Sequence, residues 1–167
     1  IVLLHGLGAD GDDLFSLTSL MSEQFPQAAF VAPNAPYPCD MSPFGYQWFS
    51  LQDRSFAAIS AGVKSVTPVL DAFLDTELRR YRVNEDRLVL FGFSQGTMMA
   101  LHVALRRTRP CACVLGFSGA LVIDGDISNE IISRMPIFLS HGDVDDVVPI
   151  EALENAARVL EAAGLTV

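Results

Sequence analysis

Basic residues are scarce in this sequence. Lys plus Arg number 11 against 20 Asp plus Glu, a formal net charge of −9 at pH 7. So acidic a chain offers no basic patch to nucleic acid or to an anionic membrane surface. Charged residues make up only 19% and apolar residues 50%, which excludes a disordered chain. Cysteine is sparse and odd in number, with Cys39, Cys111 and Cys113. No disulfide framework follows, the Cys111–Cys113 spacing is not Cys-x-x-Cys, and no histidine pair completes a zinc site. The three read as buried free thiols, a usage that fits the cytoplasm. No signal peptide is visible. Charge is also missing from Leu88 to Leu105, a run just long enough to cross a bilayer. Gly92, Ser94, Gln95, Gly96 and His102 break its pattern, so it reads as strand, tight turn and helix rather than as a membrane span.

What is present points to a packed domain. A length of 167 residues suits one domain, and a mean hydropathy of +0.34 calls for a large core. Short apolar runs alternate with helical periodicity. Strands are predicted at residues 1–4, 28–32, 88–92, 111–117 and 137–140, with the start of another at 165–167. Helices are predicted around Leu14, Leu17, Leu20 and Met21, over 54–81 with a stripe from Val63 to Leu78, after Ser94, and over 150–163. Pro68 should kink or restart the long helix. The strands are continuously apolar, the mark of a parallel sheet covered by helices on both faces, so the fold class is α/β. A proline-rich loop, 33–45, leads into Tyr46, Gln47, Trp48 and Phe49. Trp48 and Phe49 read either as the wall of a substrate site or as packed rings that anchor the loop. Met41, Phe44 and Trp48 suit a pocket or the interface of a homodimer.

Three segments carry chemistry. Gly92-Phe93-Ser94-Gln95-Gly96 is Gly-x-Ser-x-Gly between a strand and a helix, the context of a nucleophile elbow. The turn is sharp, so small residues must flank it, and the Gln95 N–H can face a developing oxyanion. Gly116-Phe-Ser118-Gly-Ala120 resembles it, but Ala120 breaks the pattern. After the first strand, His5-Gly6-Leu7-Gly8 reads as an oxyanion loop in which Leu7 gives the second N–H. Gly6, Gly8 and Gly11 also satisfy the dinucleotide fingerprint, but Asp10, Asp12 and Asp13 would repel a pyrophosphate. His5 reads as a structural hydrogen-bonder. After the last complete strand, His141-Gly-Asp143-Val-Asp145-Asp146 offers a carboxylate to orient a histidine. Asp145 is the choice there, with Asp143 and Asp146 as rivals.

Taken together, Leu4-His-Gly-Leu-Gly8, Pro33-Asn-Ala-Pro36, Gly92-Phe-Ser-Gln-Gly96 and His141-Gly-Asp-Val-Asp145 with Val147-Val-Pro149 resemble the bacterial carboxylesterases of the phospholipase/carboxylesterase family, which are similar to acyl-protein thioesterases. The resemblance implies an α/β-hydrolase fold and hydrolysis of small-molecule esters or thioesters of modest acyl length, with no cofactor or metal. It implies Ser94 as nucleophile, Asp145 as triad acid, and Leu7 and Gln95 as oxyanion donors. It also implies a domain incomplete at both ends, because the family's triad histidine lies in a segment expected beyond Val167. None of the three histidines present fills that role by sequence position: His102 stands about 12 Å along the helix from Ser94, His141 lies on the acid's own turn, and His5 is on another loop. A ligand-binding protein without the base is the alternative from a different class, and a nucleotide-dependent enzyme is a third.

Overall fold

The uncharged run forms the middle of the molecule. In a computed structural model that describes residues 1–125 and 127–167, it becomes strand β4, Val89–Phe93, and helix α4, Gln95–Arg106. Residues 95–105 of α4 are all buried, which explains a helix apolar on every side. Strands β1 (Val2–Leu4), β5 (Cys113–Phe117) and β6 (Ile137–Ser140) join β4 in the order β1-β4-β5-β6, every neighbour parallel. Phe93 stands opposite Phe117, and Phe117 opposite Ser140, so the loops after β4, β5 and β6 leave from one end of the sheet. The 28–32 segment adds only a bridge: Val31 pairs with Val2, bonded to Leu3 N and Ile1 O. Thr166 O likewise accepts from Ile137 N at 2.9 Å, which sets the last residues beside β6.

Helix α4 lies across β1, β4 and β5, α3 (Phe56–Tyr81) packs on α4, and α5 (Glu151–Ala162) reaches β6. The stripe on α3 is buried as its spacing predicts, at Val63, Val66, Leu70, Leu74 and Leu78. The helix starts at Ser55, whose hydroxyl accepts from Ala58 N, and runs unbroken through Pro68. Pro68 is on the exposed side, where the Lys64 carbonyl it frees can meet water. One window of α3 is long and apolar enough to span a membrane, and 28% of it is buried, along this inner stripe.

One further expectation is corrected. The apolar residues at 14–21 do not form one helix but two short ones, α1 (Gly11–Phe15) and α2 (Thr18–Gln24). Leu20 is 70% exposed, so the spacing had no core to face. Among the described residues, part of one sheet face stands open. Opposite α4, the Phe91, Phe117 and Phe138 rings pack on one another, with Phe138 54% and Phe93 44% exposed. The other half of that face opens into an apolar groove of about 820 Å³ between Met21, Phe25, Tyr81, Val89 and Leu115, away from Ser94. Cys39 and Cys111 are buried and Cys113 half-buried, all free. Burial pushes the Cys111 thiol up to about 11, so it stays protonated and inert.

Candidate active site

Ser94 sits at the corner between β4 and α4 with φ +54° and ψ −117°. For a residue with a side chain this backbone costs on the order of 1–3 kcal/mol and needs its surroundings to enforce it. They do so through close packing. A Cβ on Gly96 would lie 1.8 Å from the Leu4 carbonyl oxygen, and one on Gly92 would lie 2.5 Å from Thr97 N. The small residues that the motif demands are therefore where backbone meets backbone. Ser94 N donates to Phe117 O at 2.9 Å, and Ser94 O accepts from Thr97 N at 3.0 Å to open the helix. Thr97 braces the corner from below. Its Oγ1 accepts from Phe117 N at 3.0 Å and lies 2.8 and 2.9 Å from the carbonyls of Gly92 and Phe117, one of which takes its proton. Ser94 itself is half-buried.

The loop after β1 passes over this corner. A Cβ on Gly6 would lie 3.2 Å from Ser94 Cβ, so Leu7 follows directly beside the serine. The Leu7 N–H makes no backbone hydrogen bond among the described residues. That of Gln95, the first residue of α4, has no partner within its helix. The two N–H groups expected as oxyanion donors thus belong to the loop and the helix that meet at Ser94.

His5 has a different task. Its Nδ1 donates to Gly6 O at 2.7 Å, and its Nε2 accepts from Ala35 N at 2.9 Å. Both nitrogens are engaged in a fully buried ring, and burial lowers its pKa, so it is a neutral structural hydrogen-bonder. The His5 carbonyl accepts from Trp48 Nε1 at 2.9 Å.

Trp48 and Phe49 do not form an open wall. They are 2% and 3% exposed and belong to the core, so the packed-ring reading accounts for them and the substrate-wall reading does not. The Gln95 side chain holds them: Oε1 accepts from Trp48 N at 3.1 Å and Nε2 donates to Phe49 O at 2.8 Å. Sequence reading assigned Gln95 only a backbone role. A primary amide at the first turn of an otherwise apolar helix was the available signal for more, and a hydroxyl three residues after Ser94 was the signal for Thr97. The hairpin of β2 (Tyr37–Pro38) and β3 (Tyr46–Gln47) is stitched to the Leu7 loop by Gly8 N to Tyr46 O, 2.8 Å, and leaves Met41 and Phe44 exposed.

The glycine fingerprint is closed to anions. Asp10 caps α1 by accepting from Asp13 N, Asp13 reciprocates to Asp10 N, and Gly11 N donates to Asn34 Oδ1. A pyrophosphate would find carboxylates on the N–H groups it needs.

At the end of β6, Asp145 is the carboxylate that its loop fixes. Oδ1 accepts from Val147 N and Val148 N, both at 2.9 Å, and Oδ2 lies 3.4 Å from His141 Nε2. The Val148 and Val147 N–H groups, with His141 opposite, hold its carboxyl below the usual range. Asp143 and Asp146 are exposed. The His141 side chain is 1% exposed with Nε2 2.6 Å from Val148 O, and it lines a small cavity together with Leu153 and Ala156 of α5. His102 is buried on α4, and burial takes its pKa to about 4.

A parallel sheet flanked by helices, with a serine at positive φ on the β4–α4 corner, is the α/β-hydrolase class of fold. The chain belongs to the phospholipase/carboxylesterase family, whose sequence profile matches residues 1–167. An acyl-protein thioesterase 1 of Emericella nidulans is 27% identical over 99% of this chain and 77% of its own length. A probable SOBER1-like carboxylesterase of Arabidopsis thaliana is 29% identical over 99% of this chain and 67% of its own. Among solved structures, esterase PE8 is 43% identical with a TM-score of 0.94, covering 98% of this chain and 77% of that one. A single-residue variant of Arabidopsis thaliana SOBER1 superposes with a TM-score of 0.85 over 99% of this chain and 83% of that one; at 24% identity it bears on the fold alone.

Proposed function

We propose that the protein hydrolyses carboxylic esters or thioesters of short to medium acyl chains through an acyl-enzyme on Ser94. The observation that carries this is the strained elbow with the Leu7 loop laid against it. In this reading Ser94 Oγ attacks the acyl carbonyl. The Leu7 and Gln95 N–H groups bind the oxyanion, each contributing a factor of about 10²–10³ in rate. The alcohol or thiol leaves with a proton, and water then releases the acid. Asp145 orients the imidazole that moves these protons. The reading takes that imidazole from outside residues 1–167. The support is that His5 has both nitrogens engaged, that His102 is buried on α4, and that the His141 ring, its side chain 1% exposed, is held by Val148 O of its own loop.

Incubation with a fluorophosphonate, followed by intact mass measurement, tests it. The catalytically complete protein should gain one adduct, and Ser94→Ala should lose both the adduct and the turnover of p-nitrophenyl esters. Turnover retained in Ser94→Ala overturns the assignment. Rapid labelling of the 167-residue chain alone would place the base among its own residues and refute that part of the reading.

A further inference from the structure

Three buried polar side chains, those of Gln95, Trp48 and His5, are joined in one line, and the proposed mechanism uses none of them. Gln95 Oε1 accepts from Trp48 N at 3.1 Å, and Trp48 Nε1 donates to His5 O at 2.9 Å. The His5 ring, its centroid 5.8 Å from that of the indole, donates from Nδ1 to Gly6 O at 2.7 Å. The line begins on one residue expected to bind the oxyanion, Gln95. It ends on the peptide unit that carries the other donor, the Leu7 N–H. His5 is the decisive link. Its Nε2 accepts from Ala35 N at 2.9 Å, so that nitrogen is bare, and in the neutral ring the proton stands on Nδ1. The Gly6–Leu7 peptide is trans, and in a trans unit the C=O and N–H lie in one plane and point in opposite directions. Whatever fixes Gly6 O thus fixes the direction of the Leu7 N–H. Among the described residues Gly6 O also accepts from Ala9 N, at a longer 3.4 Å, so the imidazole makes the shorter bond. A Cβ on Gly6 would lie 3.2 Å from Ser94 Cβ, which sets this peptide unit against the nucleophile.

We propose that His5 is a positioning residue, which aims the Leu7 N–H by holding the carbonyl of the same peptide unit, and that Trp48 and the Gln95 side chain tie this unit to the second oxyanion donor. Its bearing on catalysis rests on the function proposed above. An oxyanion hole works only if its donors are in place before the charge develops. Here the donors come from two separate segments, a loop and a helix, so their relative placement needs a link. The line supplies it with one side chain at each step. His5 and Gln95 are fully buried and Trp48 nearly so, and hydrogen bonds shielded from water are the stronger for it. The imidazole bond to Gly6 O also polarises the peptide, which makes the Leu7 N–H a better donor.

Two substitutions separate the two ring nitrogens. In His5→Asn the amide nitrogen stands where Nδ1 stood and still donates to Gly6 O, but nothing accepts from Ala35 N. In His5→Gln the amide oxygen stands where Nε2 stood and accepts from Ala35 N, but nothing donates to Gly6 O. In the catalytically complete protein, His5→Asn should keep kcat within about threefold of the parent. His5→Gln should lose about tenfold to hundredfold in kcat with KM unchanged, less than the loss of a whole donor. Equal kcat in the two variants, measured per folded molecule, or a change confined to KM, overturns the proposal. Trp48→Phe removes the indole N–H from the line. It should lower kcat by an amount that does not add to the loss in His5→Gln, and an unchanged kcat or additive losses refute the link through Trp48. Long-range ¹H–¹⁵N NMR of the 167-residue chain reads the parent ring itself and needs neither a variant nor turnover. The His5 proton is expected on Nδ1 at pH 7, and a proton on Nε2, or on both nitrogens, overturns the proposal. If the complete protein hydrolyses no ester, the function proposed above fails. The ring proton, and the shift of the Leu7 amide resonance in His5→Gln, then still decide whether His5 holds that peptide, and an unmoved resonance refutes it.

Discussion

Removing the Gln95 side chain should destabilise the fold far beyond what a surface glutamine would cost. The side chain is fully buried, and its amide satisfies Trp48 N and Phe49 O, whose residues are 2% and 3% exposed. In Gln95→Ala both backbone groups keep their burial and lose their partners. Each buried group left unsatisfied costs about 1–3 kcal/mol, so the pair costs about 2–6 kcal/mol. For a domain of this size that corresponds to a fall in Tm of about 4–24 °C. Urea unfolding followed through the fluorescence of Trp48, the only tryptophan, measures it directly. Gln95→Glu sharpens the test. A carboxyl group can still accept from Trp48 N, but only its protonated form donates to Phe49 O. The buried glutamate pKa is then raised above its unfolded value, so the variant should approach the parent in acid and lose stability as pH rises towards 7. A Gln95→Ala cost below about 1 kcal/mol, or a Gln95→Glu deficit independent of pH, would refute the view that this amide clamps the 48–49 segment.

Three further outcomes follow from other positions. His102 is buried and holds its pKa at about 4, below the unfolded value of about 6.5. The unfolded chain therefore binds the extra proton first, and stability should fall as pH drops from 6.5 towards 4, by about 3 kcal/mol from this residue. His102→Leu should flatten that part of the stability–pH curve, and parallel curves would sink the claim. Arg82 ends α3 in the left-handed region at φ +56°, with Arg82 N bonded to Arg79 O and Val83 N to Leu78 O, so Arg82→Gly should raise stability by about 0.5–1 kcal/mol in thermal melts. Ser94→Gly relieves φ +54° and should melt about 1 kcal/mol higher than Ser94→Ala, both being unreactive to fluorophosphonate.

Much of the candidate site was legible because it is local. The Gly-x-Ser-x-Gly turn needs small residues wherever strand and helix touch, and its spacing carries that requirement along the chain. The sequence reading chose Asp145 over Asp143 and Asp146, and the structure adds that Asp145 is the carboxylate that accepts Val147 and Val148 N–H in its own loop. Trp48 was ambiguous because an aromatic after a proline-rich loop packs inward or faces a ligand with the same local sequence. Its burial depends on Gln95, 47 positions away.

The sequence by itself determined the parallel α/β order, the elbow and the central buried helix, because apolar periodicity and steric demands at glycine are properties of neighbours in the chain. It also carried the closed state of the glycine fingerprint, since Asp10 and Asp13 sit within the helix start they cap. Only the tertiary structure decided that 14–21 breaks into two short helices, that 28–32 contributes one bridge, and that Phe93 and Phe138 stand exposed among the described residues. Each of these depends on which surface another segment leaves to pack against, and that is fixed by the register of β4, β5 and β6 side by side rather than by any residue's neighbours in sequence.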